Sequence, residues 1–385
     1  MKITALDTFV ISNRRVLLKV STDDGAIGWG EPTLENWARP VASVVEQMSN
    51  YLIGKDPRQI SKHWQILARG GFYRDGPLIL SALAGIDQAL WDLRARDLGV
   101  PIYELLGGNV RDRIRIYAHA NEPGRTGSPA RAKHLVEAGY TLIKVAPHSQ
   151  VRFIESQEFV AQFLDDLGAL RKAIPSRVDF AVDLHGRFST PMSRLTICLA
   201  QELFPAFFEE PLRPEHSDRL GDVVASTTIP IATGERLYTR YEFRRVLEAG
   251  VAIVQPDLSH AGGISECFKI AALAEIYDAQ IAPHCPLGPV ALAACIQIDA
   301  AVPNFYAQEC VIDPHIPNAG LGLELLSNPD VLRPINGYIP VPMGPGLGIT
   351  IDEDAVRLQT VSAGQAMEPG PGTWSYDDDG SFAEW

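Results

Sequence analysis

The stretch DFAVDLHGR (residues 179–187) joins a short, apolar, β-rich run to a carboxylate and an imidazole, Asp183 and His185. Residues at alternate positions of a β-strand point to the same face of a sheet, so we expect these two side chains on one face at the end of a buried strand. The other predicted strands of the chain determine which further side chains lie near that strand end.

Runs of the same kind recur eight times after residue 113. They are IRIYAHA (114–120), TLIKVAP (141–147), DFAVDLHG (179–186), AFFEEPL (206–212), PIATGE (230–235), AIVQPDL (252–258), QIAPHC (280–285) and FYAQEC (305–310). Most are separated by alanine- and leucine-rich segments with the length of a crossover helix, a pattern that predicts repeated βα units and a parallel sheet. Eight such units close a barrel. A doubly wound open sheet is the alternative, but HANEPGRTG (119–127) does not match the phosphate-binding glycine turn that follows its first strand.

The residues before 113 follow another pattern. RVLLKVST (15–22) and AIGWGE (26–31) are typical of strands joined by a tight turn, and a helix is predicted from Pro77 until Gly99. We therefore predict an α+β domain over residues 1–112 and a barrel domain over residues 113–335. The turn-rich segment 336–385 is expected to return to the first domain, with its aromatic residues packed against it.

The composition limits the class of protein. With 385 residues and 46% hydrophobic residues, the chain can bury a large core in two or three domains. A formal net charge of −13 argues against nucleic acid or an anionic membrane as partner, although a metal-bearing pocket would still accept an acidic small molecule. Five cysteines without a C-x-x-C spacing, and no long apolar segment, favour a soluble cytoplasmic protein with reduced thiols.

Polar side chains end six of the eight runs, at intervals of 22 to 27 residues, which is one βα unit each. They are Asp183, Glu209, Glu235, Asp257, His284 and Glu309. In a closed parallel barrel, the carboxyl ends of all strands surround one opening, so we expect these side chains to lie close together.

Three of these residues predict a metal site. Carboxylates that meet without a cation raise one another's pKa, whereas a divalent ion keeps all of them ionised. We therefore predict that Asp183, Glu209 and Glu235 bind Mg²⁺, with Mn²⁺ as the second candidate, because ligands that are all oxygen suit these ions better than Zn²⁺. The alternative is that the acids are solvated or pair with Arg187 and Arg236.

Two further residues predict a base. Asp257 and His284 end neighbouring runs, where the carboxylate would bond one imidazole nitrogen, fix the tautomer and raise the basicity of the ring. His185 would stand beside the metal ion. The alternative is that Asp257 caps the next helix and that His284 is an ordinary loop residue.

Motifs along nearly the whole chain carry a family resemblance. They are GWGEP (28–32), GFYRDGP (71–77), SALAGIDQALWD (81–92), DLHGR (183–187), EEP (209–211), GER (234–236), QPDLSHAGGI (255–264), APHCPLGP (282–289) and AEW (383–385). In this order they resemble the enolase superfamily and, within it, the mandelate racemase subgroup. The resemblance implies an α/β fold in which an N-terminal α+β capping domain covers a modified TIM barrel of the (β/α)7β type.

The resemblance also implies roles for the strand-end residues. These would be Asp183, Glu209 and Glu235 as metal ligands, His284 with Asp257 as the base dyad, Glu309 beside the substrate carboxylate, and His185 as the general acid. Glu309, His185 and His284 would contact the substrate. Loops 31–37 and 72–76 of the capping domain would close on it.

The implied function is the magnesium-dependent dehydration of an acid sugar, with D-galactonate as the expected substrate, in a homo-oligomer. Dehydration of gluconate or arabinonate, epimerisation at C2, and non-catalytic binding of an acid sugar or metal are the alternatives. Racemases of the subgroup have Lys-x-Lys at the second barrel strand, where this chain has Lys144, Val145 and Ala146. Without the second lysine, only His185 could serve opposite His284, which makes racemisation less favoured.

Overall fold

The computed structural model describes residues 1–147, 151–312, 322–362, 365 and 379–382. Its strands are β1 (Ile3–Ser12), β2 (Arg15–Thr22), β3 (Ile27–Gly30), β4 (Arg113–His119), β5 (Leu142–Val145), β6 (Asp179–Asp183), β7 (Phe208–Glu209), β8 (Ile231–Thr233), β9 (Ile253–Val254), β10 (Gln280–Ile281), β11 (Gln308–Glu309) and β12 (Tyr338–Pro340). Its α-helices are α1 (Ala38–Leu52), α2 (Ile60–Arg69), α3 (Pro77–Leu98), α4 (Ile102–Leu105), α5 (Pro129–Glu137), α6 (Gln157–Ala173), α7 (Thr190–Ala200), α8 (Leu220–Val224), α9 (Arg240–Glu248), α10 (Ile264–Ile276), α11 (Pro289–Ala301) and α12 (Glu353–Gln359). Short 3₁₀ turns cover Gln201–Leu203, Pro214–Arg219, Leu323–Leu325 and Pro329–Leu332.

The N-terminal part forms a small antiparallel sheet, in the order β1-β2-β3, with helices against it. The predicted strands of this part are confirmed as β2 and β3. The predicted helix is confirmed as α3, which begins at Pro77 and ends at Gly99, whose left-handed backbone (φ 70°) suits a residue without a side chain.

The second sheet is a parallel barrel. Neighbouring strands follow the order β10-β9-β8-β7-β6-β5-β4-β11, and each of the eight predicted runs contains one of these strands. The two ends of the sheet meet, because the N–H groups of Ile281 and Tyr306 donate to Asn304 O and Ile281 O, both over 2.8 Å. Helices α5 to α11 follow the first seven strands in turn, so the (β/α)7β barrel is confirmed and the open sheet is excluded.

Small and aromatic side chains fill the barrel interior. They are Tyr117, Leu142, Ala181, Phe207, Ala232, Ile253, Ala282 and Ala307. This apolar layer lies below the polar strand ends and separates them from the other side of the barrel. The opening at the carboxyl ends of the strands is therefore the place where polar side chains can collect.

The C-terminal segment contacts both parts of the molecule. Strand β12 pairs antiparallel with β4 in the barrel sheet, and α12 reaches the N-terminal sheet through Lys19 Nζ, 2.7 Å from Glu353 Oε2. Phe382 is 66% exposed, so most of its side chain is open to solvent, and its predicted packing against the first domain stays a prediction. The other tail aromatics, Trp374, Tyr376 and Trp385, and the AEW motif lie outside the described residues, and the domain limits at 112 and 335 stay predictions. None of the described helices has the length and apolar character needed to cross a bilayer.

Polar side chains of α3 hold the chain that follows β9. Gln88 accepts from Glu31 N–H over 2.8 Å and donates to Leu258 O over 2.9 Å. Asp87 accepts from Ser265 N–H over 2.9 Å and also from its hydroxyl. Because all five of these residues are buried, helix α3 and the 257–265 segment form one polar interface.

Asp87 gives this interface a pH dependence. Burial raises the pKa of Asp87 to about 7, although the bonds from Ser265 act in the opposite direction. In the unfolded chain, Asp87 ionises near the ordinary pKa of 3.8. The unfolded state therefore loses this proton at a lower pH than the folded state does, and the free energy of unfolding falls as the pH rises from about 4 to about 7, with little further change above that.

Replacement of Asp87 with asparagine removes this titration. We expect the stability of Asp87→Asn relative to the wild type to increase by about 2–4 kcal/mol between pH 4 and pH 7.5, measured by urea unfolding of both proteins. A stability difference that is the same at every pH would show that Asp87 titrates alike in the folded and unfolded chain.

Candidate active site

The structure brings the six strand-end residues to one opening of the barrel. Asp183, Glu209 and Glu309 are the last residues of β6, β7 and β11. Glu235, Asp257 and His284 follow β8, β9 and β10 within three residues. Parallel strands place all of these positions at the same end of the sheet.

Three carboxylates form a group that can hold a divalent metal ion. Asp183, Glu209 and Glu235 each offer an oxygen, and these oxygens lie within 4.8 Å of one another. Within the described part of the chain, no donor makes a hydrogen bond to the buried Glu209 Oε2. A buried carboxylate oxygen without a donor costs free energy unless a cation compensates it, so the residues present fit a metal site.

Lys144, which was not among the predicted site residues, lies among the carboxylates of Asp183, Glu209 and Glu309. Its Nζ is 3.1 Å from Asp183 Oδ2, 2.7 Å from Glu209 Oε1 and 2.8 Å from Glu309 Oε1. The side chain is 3% exposed. Burial lowers the pKa of Lys144, but the Glu209, Glu309 and Asp183 carboxylates outweigh it and hold the pKa well above its ordinary value. Lys144 is therefore an ammonium that neutralises part of the carboxylate charge.

Glu309 is surrounded by donors. Its Oε1 lies 2.7 Å from His119 Nε2, and its Oε2 accepts from Cys285 N–H over 2.9 Å. Burial acts in the opposite direction, but the Lys144 ammonium and then the His284 ring hold the pKa of Glu309 well below its ordinary value. In this arrangement Glu309 is an ionised acceptor.

His119, which was not among the predicted site residues, ends strand β4 in the same way as other site residues end theirs. Burial lowers the pKa of His119 in spite of its bond to Glu309. The strand-end rule, applied to the run IRIYAHA, would have selected it.

His284 and Asp257 form a hydrogen-bonded pair. His284 Nδ1 lies 2.8 Å from Asp257 Oδ2, and because a carboxylate only accepts, Nδ1–H is the donor. Ser259 N–H donates to Asp257 Oδ1 over 2.6 Å. The other ring nitrogen, His284 Nε2, is 3.7 Å from Glu235 Oε2 and 3.8 Å from Glu309 Oε2. The ring nitrogen that is not bonded to Asp257 thus faces the carboxylate group.

His185 reaches the site by a route other than the predicted one. Strand β6 ends at Asp183, and His185 has a left-handed backbone with φ 51°, so the alternation rule that we applied to it is wrong. The turn brings His185 Nε2 to 2.9 Å from Asp183 Oδ2, while its N–H donates to Asp183 Oδ1 over 2.9 Å. Gly186 also has positive φ (64°), and a Cβ there would lie 2.6 Å from Arg236 Nη2. His185 thus lies beside Asp183, whereas His284 faces Glu235 and Glu309.

The arginines of the alternative interpretation have other partners. Arg236 pairs with Glu210 over 2.5 Å and is 3.8 Å from Glu235. Arg187 donates to Pro147 O over 2.8 Å. These contacts leave Asp183 and Glu209 in the acidic group, whereas Glu235 also lies within ion-pair distance of Arg236, as the alternative interpretation expected for that residue.

Glu31, at the start of the predicted substrate loop 31–37, has a structural partner instead. It is fully buried, and its two oxygens accept from the N–H groups of Gly288 and Ala291, at the start of α11, over 2.8 and 3.0 Å. Such a carboxylate caps the helix and is not free for a ligand. In the second predicted loop, the side chains of Phe72 and Tyr73 are 92% and 88% exposed.

Family descriptions match two successive parts of the chain. Residues 3–107 match "Mandelate racemase / muconate lactonizing enzyme, N-terminal domain", and residues 128–355 match "Enolase C-terminal domain-like". Both parts lie in the regions that carry the N-terminal sheet and the barrel.

Relatives match over the full length. The D-galactonate dehydratase of Ralstonia nicotianae is 45% identical and that of Cronobacter sakazakii 42% identical over 386 aligned positions, which cover 100% of each chain. A solved mandelate racemase/muconate lactonizing enzyme from Sulfitobacter sp. has a TM-score of 0.86 at 30% identity, covering 96% of this chain and 99% of that chain. Another from Jannaschia sp. CCS1 has a TM-score of 0.86 at 29% identity, covering 95% and 99%.

Proposed function

Because the chain belongs to the mandelate racemase/muconate lactonizing enzyme family of the enolase superfamily, we propose that it dehydrates an acid sugar, with D-galactonate as substrate and Mg²⁺ as the metal ion. The observation that carries the proposal is the meeting of two imidazoles with three carboxylates at one barrel opening. Relatives named D-galactonate dehydratase, aligned end to end, support the choice of substrate.

The metal ligands in this proposal are Asp183, Glu209 and Glu235. A divalent ion held there supplies positive charge that stabilises the negative charge developing on the substrate carboxylate. The oxygen-only donor set supports Mg²⁺, and Mn²⁺ is the second choice.

His284 is the base. Its Nε2 takes the proton from C2 of the aldonate, and Asp257, bonded to Nδ1, stabilises the imidazolium that forms. The geometry supports this role because the ring is fixed on one side and faces the acidic group on the other.

His185 is the acid. Its protonated ring gives a proton to the C3 hydroxyl, which leaves as water when the electron pair from the C2–H bond forms the C2–C3 double bond. The resulting enol becomes the 2-keto-3-deoxy acid. The ring nitrogen Nε2 of His185 lies 2.9 Å from Asp183 Oδ2. Glu309, 3.8 Å from His284 Nε2, and Lys144, 2.8 Å from Glu309 Oε1, are assigned to the substrate carboxylate end of the site, where the Lys144 ammonium supplies positive charge.

A screen of aldonic acids with Mg²⁺ tests the proposal. We expect the protein to convert D-galactonate to its 2-keto-3-deoxy product, with deuterium uptake at C2 in D₂O, and to turn over gluconate and arabinonate more slowly. A C2 epimer without keto product would show an epimerase instead. Binding without either reaction would show a non-catalytic relative. A homo-oligomer and a cytoplasmic location are part of the same proposal and need separate measurement.

A further inference from the structure

A third histidine lies behind the base dyad. His260 Nε2 is 3.7 Å from Asp257 Oδ2, the same oxygen that accepts from His284. His260 is 5% exposed, and its main-chain N–H donates to Asp257 O over 3.1 Å, so the turn that carries Asp257 also fixes His260. One carboxylate oxygen thus faces two imidazole rings.

The other contacts of His260 come from the N-terminal part of the chain. Its Nε2 is 3.5 Å from Glu35 Oε2, and its Nδ1 is 3.2 Å from Ser81 Oγ on α3. Glu35 Oε1 in turn lies 3.5 Å from Arg14 Nη2. His260 therefore joins the 31–37 loop and helix α3 to the carboxylate of the dyad.

We propose that His260 is a positioning residue: it holds Asp257, and through it the His284 ring, in place only when Glu35 and Ser81 of the N-terminal part are seated against it. The proposal rests on the function proposed above, because it assigns His260 to the C2 proton-transfer step. It also gives the 31–37 loop a route to His284 that runs through Glu35 and His260, although Glu31 itself is hydrogen-bonded to the start of helix α11.

The charges around His260 agree with this role. Burial lowers its pKa, but Asp257 and Glu35 outweigh burial and raise it, while His284 acts against protonation. Burial also raises the pKa of Glu35, but His260 outweighs it and lowers that pKa to about 2. An imidazole between the Asp257 and Glu35 carboxylates restrains both of them, and a displacement of about 1 Å in a reacting group can cost about 100-fold in rate.

Two isosteric substitutions separate positioning from packing. In His260→Gln, the amide nitrogen takes the place of Nε2 and can still donate toward Asp257 and Glu35. In His260→Asn, the side-chain amide takes the place of Nδ1, so it can contact Ser81 but loses the contacts with Asp257 and Glu35. We expect His260→Asn to lower kcat for C2 deuterium exchange by about 10- to 100-fold with KM changed less than about 3-fold, and His260→Gln to lose less than about 10-fold.

Glu35→Gln and the double variant test the link to the loop. If Glu35 acts through His260, Glu35→Gln combined with His260→Asn is no slower than His260→Asn alone, whereas independent roles give losses that multiply. His216→Asn, an exposed histidine on the Pro214–Arg219 turn, is the matched control and should keep wild-type kinetics.

A spectroscopic readout keeps the test independent of the substrate. In protein with ¹⁵N-labelled histidine, the hydrogen-bonded Nδ1–H of His284 should give a downfield proton signal that persists in His260→Gln and is shifted or lost in His260→Asn. If the wild-type protein does not turn over the substrate, the proposed function is contradicted, but the Nδ1–H signal of His284 can still be compared between the two variants. An unchanged signal together with equal kcat in both variants would overturn the positioning role of His260.

Discussion

Glu209→Gln is expected to abolish measurable dehydration and to weaken Mg²⁺ binding. The substitution keeps the size of the side chain but removes one of the three carboxylates whose oxygens meet within 4.8 Å. A divalent ion supplies several kcal/mol of charge stabilisation to such a reaction, so we expect a loss of about 10³- to 10⁵-fold in kcat.

Calorimetric titration with Mg²⁺ in the absence of substrate measures the binding part of this prediction. Glu202→Gln, an exposed acid on the turn after α7, is the control and should bind and react as the wild type does. Chelation of the wild-type protein should reduce turnover to the level of Glu209→Gln, and added Mg²⁺ should restore only the wild type. Unchanged Mg²⁺ affinity in Glu209→Gln would show that the ion binds elsewhere.

His284→Asn and His185→Asn are expected to separate the two proton transfers. His284→Asn should lose both C2 deuterium uptake and keto product by about 10²- to 10⁴-fold, because the base acts first. His185→Asn should lose product formation by a similar factor, yet keep C2 uptake, since proton delivery to the leaving hydroxyl comes after proton removal.

Asparagine is the appropriate residue at position 185 for a backbone reason. His185 has φ 51°, and asparagine adopts the left-handed region more readily than most residues, so the variant does not strain the turn. Proton NMR of the reaction in D₂O follows C2 exchange and product in one sample, and equal melting temperatures of the three proteins show that the variants are folded. Normal turnover of both variants would refute the two assignments.

The barrel could be predicted from the sequence because the information is local and periodic. Each of the eight runs is apolar and short, and the segments between them fit one helix, so strand order and the polar opening follow from general rules on parallel sheets. The same rules identified six site residues, because each lies where its strand ends. They are Asp183, Glu209, Glu235, Asp257, His284 and Glu309.

Other parts of the site depend on contacts that no local pattern shows. Lys144 could be placed on its strand, but its three carboxylate partners come from three other strands. Glu31 looks like a loop acid, and only the arrival of α11 from the far end of the chain shows what it binds. The positive φ at His185 was missed because the alternation of side chains along strand β6 was assumed to continue beyond Asp183, where the strand ends.

The ammonium of Lys144 among three carboxylates has a consequence for how the protein matures. Small zinc domains stay unfolded until their ion arrives, because nothing else neutralises or gathers their ligands. Here the Lys144 ammonium on strand β5 already pairs with two of the three proposed ligands, Asp183 and Glu209, and with the neighbouring Glu309. We therefore expect the newly made chain to complete its barrel without the proposed metal ion and to bind the ion afterwards, so that a shortage of the metal leaves a folded protein that can still be loaded.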